Sequence, residues 1–165
     1  GDVYKRQLVL DADALNCVAK QPEILLRKKA PIIITPHPGE MSRLTGLATP
    51  LVNAERERVA LDFAQKYGVV TVLKGAGTVI ASPNGKVLVN PTGNSGMATG
   101  GSGDVLAGMT ASILAQGASA FSSAAAAVYL HGLAGDIAAE KYGKISMLPT
   151  DLINCIPLAY KRCGF

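Results

Sequence analysis

The sequence predicts an α/β fold, a mostly parallel β-sheet covered by helices on both faces. Three observations carry this. Short apolar runs at residues 8–10, 32–34 and 69–73 read as strands buried on both sides. Segments of helical spacing separate them, the alternation that builds parallel sheets. The turn signal Pro83-Asn84-Gly85 lies between two further short runs and adds an antiparallel hairpin at one side.

The elements follow in order. Leu8 to Leu10 is the first strand and ends at Asp11. Residues 14–29 are broadly helical with a break at Pro22, and Arg27-Lys28-Lys29 suit the negative end of a helix dipole. Ile32-Ile33-Ile34 is a β-branched strand closed by the turn-rich Thr35-Pro36-His37-Pro38-Gly39. Glu40 to Leu44 forms a short helix. A longer helix runs from about Asn53 to Tyr67 and stops at Gly68, with Val59 and Phe63 at helical spacing. Val69 to Leu73 is the third strand, and the hairpin strands are Thr78–Ala81 and Lys86–Val89. Helices then span about Gly103–Ala115 and Ser122–Lys141. The last starts near Pro149 with Thr150 as its N-cap.

Bulk properties exclude several classes. With 48% hydrophobic and 17% charged residues in a 165-residue chain, one packed unit is possible and global disorder is excluded. The net charge of +4 comes without a basic stripe interleaved with aromatics, which argues against nucleic-acid binding. Cys17, Cys155 and Cys163 are odd in number and lack metal-ligand spacing, so no metal site is predicted and a reducing cytoplasm fits best. The alanine-rich run 118–139 is interrupted by His131, Gly132, Gly135 and Asp136, so it reads as a buried helix and not a membrane span. His131 itself reads as a satisfied core histidine. Residues 1–7 match nothing in the pattern and are expected to be an expression or sequence-assembly scar.

The chemistry concentrates in NPTGNSGMATGGSGDVLAG, residues 90–108, which holds six glycines in nineteen positions. The apolar residues after Asp104 mark a helix whose first turn leaves N–H groups unpaired and partly positive. Glycines let an anion approach those groups, as phosphate-binding loops do. Such donors would stabilise charge on a transferring phosphoryl group. Asp104 is either a plain helix cap or a base. Beside an anion site a cap of the same sign is a poor choice, which favours a base taking a proton from a hydroxyl. His37, between two prolines beyond a strand, belongs to a structural turn or contacts substrate. Lys74-Gly75-Ala76-Gly77-Thr78 also follows a strand and joins a phosphate-seeking lysine to glycines, or is only a tight turn.

TPHPGEM (35–41), LKGAGTVIA (73–81) and the 90–108 segment resemble the signature segments of the NAD(P)H-hydrate dehydratase family. LVLDADALN (8–16) and MLPTDLI (147–153) also fit, so the likeness runs over nearly the whole chain after Gln7. The resemblance implies a ribokinase-like three-layer α/β/α sandwich, incomplete at its N-terminal side, with residues 8–165 the C-terminal part of one domain. It implies repair of the S epimer of hydrated NADH or NADPH. ADP, or ATP, would phosphorylate the ring hydroxyl, and loss of phosphate would restore the dihydropyridine. By this likeness Asp104 activates the hydroxyl, and Gly101, Ser102 and Gly103 form the anion hole. Lys74, Gly75, Ala76, Gly77, Thr78 and Gly103 bind the AMP part, and His37 and Asp104 touch the hydrated cofactor. Mg2+, a homo-oligomer (a tetramer) and a fused N-terminal epimerase domain are implied as well. Ser95 stands where the family often has proline, and the family's upstream glycine-rich segment is not in this sequence, so the chain alone is expected to be poorly soluble or inactive. The alternatives are a ribokinase-like kinase of the hydroxymethylpyrimidine or hydroxyethylthiazole type, and a non-catalytic nucleotide-binding fragment.

Overall fold

The computed structural model describes residues 7–165, and the proposed scar lies almost wholly outside them. Five strands form one sheet in the order β1 (Leu8–Leu10), β2 (Ile32–Ile34), β3 (Val70–Leu73), β4 (Val79–Ala81), β5 (Val87–Val89). β1, β2 and β3 pair in parallel, with Leu8 opposite Ile32 and Ile33 opposite Val70. β3–β4 and β4–β5 are antiparallel. β5 therefore runs the same way as β3, and both leave the sheet at the same end.

Side chains alternate across a strand, so each β-branched run feeds two cores. Ile33, Val70, Val72 and Ile80 pack with Leu106, Ala127, Ala134 and Leu152 on one face. Ile32, Ile34, Leu73 and Val79 pack with Leu15, Met41, Val52 and Phe63 on the other. The first face is covered by α5 (Ser102–Ala115), α6 (Ala120–Tyr142) and α7 (Pro149–Arg162). The second is covered by α1 (Asp13–Ala19), α2 (Pro38–Thr45), α3 (Thr49–Ala54) and α4 (Arg56–Tyr67). The three layers expected from the sequence are present.

Local departures have physical causes. Pro22 ends α1's continuation as expected, and residues Pro22–Arg27 tighten into a 3-10 turn. Lys28 lies past that turn, and its Nζ donates instead to the Tyr67 carbonyl at the C-terminus of α4, 2.8 Å away. The helix expected from Asn53 breaks at Glu55 (φ −126°), giving α3 and α4, and α3 starts earlier, at Thr49. Thr150 is not the N-cap of α7. The helix begins at Pro149, and the Leu148 N–H donates to Asp151 Oδ2 at 2.9 Å. Among the described residues no helix is long and apolar enough to cross a membrane.

Candidate active site

The loops that leave the C-terminal ends of β1, β2, β3 and β5 line one cavity of about 820 Å³, and the first turn of α5 forms part of its wall. This is the end of an open α/β sheet where ligands collect, and the volume lies within the range of small-molecule sites. Asp104, Gly101–Gly103, Lys74–Thr78 and His37, separated by up to 67 positions in sequence, all line it.

The turn that leads into α5 is built by glycine. Gly101 sits at φ 96°, a left-handed conformation that turns the chain into α5 without strain. The Ser102 N–H reaches Thr99 O at 3.3 Å, and the first bond along the helix is Val105 N–H to Gly101 O at 3.2 Å. The Gly103 and Asp104 N–H groups between them belong to the unpaired first turn. A Cβ at Gly103 would lie 3.3 Å from Lys74 Nζ and 3.9 Å from Asp11 Oδ2. Positive charge from the dipole and from Lys74 thus converges on one place, approachable only because residue 103 has no side chain. Asp104 is exposed in that first turn and makes no cap hydrogen bond.

Lys74 is held by carboxylates. Its Nζ donates to Asp11 Oδ1 at 2.6 Å and lies 3.9 Å from Glu40 Oε2, with Lys74 and Asp11 both mostly shielded. Arg56, at the start of α4, braces the same turn by donating to the carbonyls of Leu73 (2.8 Å), Lys74 (3.3 Å) and Gly77 (3.4 Å). A cation in a first helical turn opposes the dipole, and these three acceptors offset that cost. Burial pulls the Arg56 pKa down from its ordinary value. Thr78 Oγ1 donates to Gly75 O at 3.0 Å, closing the turn.

His37 has a structural part beside its place in the cavity. Its Nδ1 accepts from the N–H groups of Gly39 (3.0 Å) and Glu40 (3.2 Å), while Glu40 Oε2 accepts from the His37 N–H at 2.8 Å. This reciprocal cap starts α2 and fixes the proton on Nε2. Half of the side chain remains exposed on the cavity side.

The sequence reading missed Asp11, Glu40, Arg56 and the cavity role of His131. His131 is buried as expected, and its Nε2 lies 2.9 Å from Ser102 O. Burial chiefly, opposed by the Ser102 carbonyl and helped by the nearby Lys74, holds its pKa down to about 4. It is therefore neutral at pH 7. A signal existed for Asp11, which follows a predicted strand directly, and for Glu40, which stands three positions after His37 at the end of the turn-rich segment. None existed for Arg56, which reads as a solvated helix residue. No group of three or more His, Cys, Asp or Glu placed to hold a metal occurs among the described residues.

Comparison with known proteins agrees with this geometry. The family model described as NAD(P)H-hydrate dehydratase matches residues 3–158. A bifunctional NAD(P)H-hydrate repair enzyme of Moorella thermoacetica is 47% identical over 93% of this chain and 29% of its own. An ADP-dependent (S)-NAD(P)H-hydrate dehydratase of Bacillus subtilis is 37% identical over 94% of this chain and 54% of its own. The crystal structure of an ADP/ATP-dependent NAD(P)H-hydrate dehydratase from that organism, grown with ATP and Mg2+, superposes with a TM-score of 0.87 at 36% identity. That match covers 96% of this chain and 55% of the other. A ribokinase-like superfamily protein of Enterococcus faecalis shares the fold at a TM-score of 0.79 and 32% identity, over 95% of this chain and 53% of its own. The chain thus spans about half the length of the Bacillus subtilis and Enterococcus faecalis proteins and under a third of the bifunctional enzyme. The fold is ribokinase-like, and the chain belongs to the NAD(P)H-hydrate dehydratase family.

Proposed function

We propose that this chain carries the catalytic turn of a nucleotide-dependent dehydratase that returns the S epimer of hydrated NADH or NADPH to the reduced cofactor. One observation carries the reading: Asp104, the Gly103 and Asp104 N–H groups and Lys74 meet at a single cavity wall. A base, an anion hole and a phosphate-binding cation are what phosphoryl transfer to a hydroxyl needs. The family membership agrees with it.

In this mechanism the Asp104 carboxylate accepts the proton of the ring hydroxyl as its oxygen attacks the terminal phosphorus of ADP. The bond to the bridging oxygen breaks, AMP leaves, and the first-turn N–H groups and Lys74 hold the charge on the transferring group. The C–O bond of the phosphate ester then breaks, helped by the ring nitrogen lone pair. A proton leaves the neighbouring carbon, restoring the double bond with release of phosphate. Lys74–Thr78 and Gly103 hold the AMP part, and Gly101–Gly103 cradle the phosphate. His37 and Asp104 face the hydrated ring, the His37 Nε2–H being a donor whose Nδ1 is already engaged.

Mg2+ suits a site that must hold a charged diphosphate, and it would supply further charge neutralisation there. The site does not require a three-ligand protein cluster, because Mg2+ in nucleotide sites keeps waters and substrate oxygens as ligands. A homo-oligomer, a tetramer, working in the cytoplasm, with an epimerase domain fused on the N-terminal side in the complete gene product, completes the proposal. The experiment is recovery of NADH absorbance from hydrated NADH by the complete gene product, with Mg2+ and ADP or ATP. Recovery with release of AMP from ADP is expected. Accumulation of a stable phosphorylated product would instead assign a kinase.

A further inference from the structure

The residues that interrupt the alanine-rich helix fall on one face of α6, since positions 131, 132, 135 and 136 are spaced i, i+1, i+4, i+5. Each touches a different part of the cavity wall. His131 Nε2 donates to Ser102 O at 2.9 Å and lies 3.5 Å from Ser102 Oγ. A carbonyl can only accept, so the proton sits on Nε2. Asp136 accepts from the Gly93 N–H through Oδ2 and from Asn94 Nδ2 through Oδ1, both at 2.9 Å. Between them, Gly132 and Gly135 leave room that Thr92 and Met97 fill, for a Cβ at either would come within 2.2 Å of those side chains.

We propose that His131 and Asp136, on the His131-Gly132-Leu133-Ala134-Gly135-Asp136 segment of α6, are positioning residues that set the two ends of the β5–α5 connection against each other, His131 through Ser102 in the anion-hole turn and Asp136 through Gly93 and Asn94.

The two anchors act on different parts. Ser102 is buried at the start of α5, with Gly103 and Asp104 next to it, so a bond to its carbonyl fixes how the first-turn N–H groups point. Gly93 and Asn94 belong to the segment 90–97 that lines the cavity ahead of this turn. Asn94 passes the constraint on, its Oδ1 accepting from the Gly96 N–H at 3.0 Å. Because both anchors come from one rigid helix, the spacing between phosphate turn and loop is fixed by a single element. The helix could have used any buried side chains to fill its core. A histidine and an aspartate at these positions are explained by what they hold.

The substrate named in the assay rests on the dehydratase reading, so an independent readout is included. Melting temperature, ADP affinity by calorimetry, kcat and KM for hydrated NADH are measured on the complete gene product for His131→Leu, His131→Gln, Asp136→Ala and Asp136→Asn. His131→Leu is expected to lower kcat and ADP affinity by about tenfold, the loss of one well-placed hydrogen bond at the anion turn. His131→Gln, which can still donate to Ser102 O, returns both to within about threefold. Asp136→Ala raises KM by about tenfold with kcat little changed, and Asp136→Asn lies between. Equal losses in the Leu and Gln variants, or losses that merely follow the melting temperature, would overturn the proposal. If wild type binds ADP without repairing hydrated NADH, the dehydratase reading fails. The Leu/Gln contrast in ADP affinity then still decides the role of His131.

Discussion

Gly132 sits inside a long helix, where replacement by alanine ordinarily adds about 1 kcal/mol of helix stability. Here the opposite is expected. A Cβ at Gly132 would lie 2.2 Å from Thr92 Oγ1, 2.8 Å from the Thr92 carbonyl carbon and 2.9 Å from Thr92 Cβ. One of these atoms is backbone, so no rotamer change relieves the contact and the loop must move by roughly 0.5–1 Å, at the usual overpacking cost of about 1–3 kcal/mol. Movement also strains the Thr92 anchors, Oγ1 to Tyr129 O at 2.9 Å and Asn90 Nδ2 to Thr92 O at 2.9 Å. Each is worth about 1 kcal/mol. Setting the helix gain against these, Gly132→Ala should cost about 2 kcal/mol, or roughly 4–8 °C in melting temperature for a domain of this size class. Gly135→Ala provides the contrast, because its contacts are all with the flexible Met97 side chain, and it should cost less. Adding Met97→Ala should then show favourable coupling of about 1 kcal/mol with Gly135→Ala. Thermal melts of the four variants and wild type check this. If Gly132→Ala melts at or above the wild-type temperature, the close approach of the loop to α6 is not what the glycine serves.

Two further outcomes are expected. Lys74→Ala leaves Asp11 and Glu40 uncompensated beside the first turn of α5 and should weaken ADP binding by about 10–100-fold, part of which Asp11→Asn restores; calorimetry that finds no loss in Lys74→Ala would remove Lys74 from the proposed phosphate site. The depressed His131 pKa, about 4 against 6.5, means the unfolded chain takes up its proton first as pH falls, so the stability it contributes is full above about pH 6.5 and is lost toward pH 4 at up to about 1.4 kcal/mol per unit. His131→Gln should flatten the dependence of the urea midpoint on pH in that window, and an unchanged slope would show that His131 titrates normally.

Much of the fold was legible because its signals are local. Three short apolar runs and the Pro83-Asn84-Gly85 turn mark strands that the sheet pairs in chain order. The site's glycines were legible for the same reason, since a helix start rich in glycine has few other uses. What escaped depends on long-range contacts. Gly132 and Gly135 read as interruptions of a hydrophobic run, and only the loop packed against them reveals their purpose. Lys28 caps a helix 39 positions away. Arg56 binds carbonyls on a neighbouring strand's exit, and Asp11 meets Lys74 across 63 positions. The Thr150 cap failed for a local reason: Pro149 already has the fixed φ of a first helical residue, which puts the cap at Leu148, two positions earlier.

The central claim is that Asp104 is the base of a phosphoryl transfer whose anion hole is the adjacent turn. Its most direct test follows NADH absorbance recovered from hydrated NADH by wild type and Asp104→Asn of the complete gene product, with Mg2+ and ADP, alongside ADP affinity. Loss of at least about 100-fold in turnover with ADP binding retained is predicted. Turnover that survives in Asp104→Asn, from protein that binds ADP normally, would contradict the assignment.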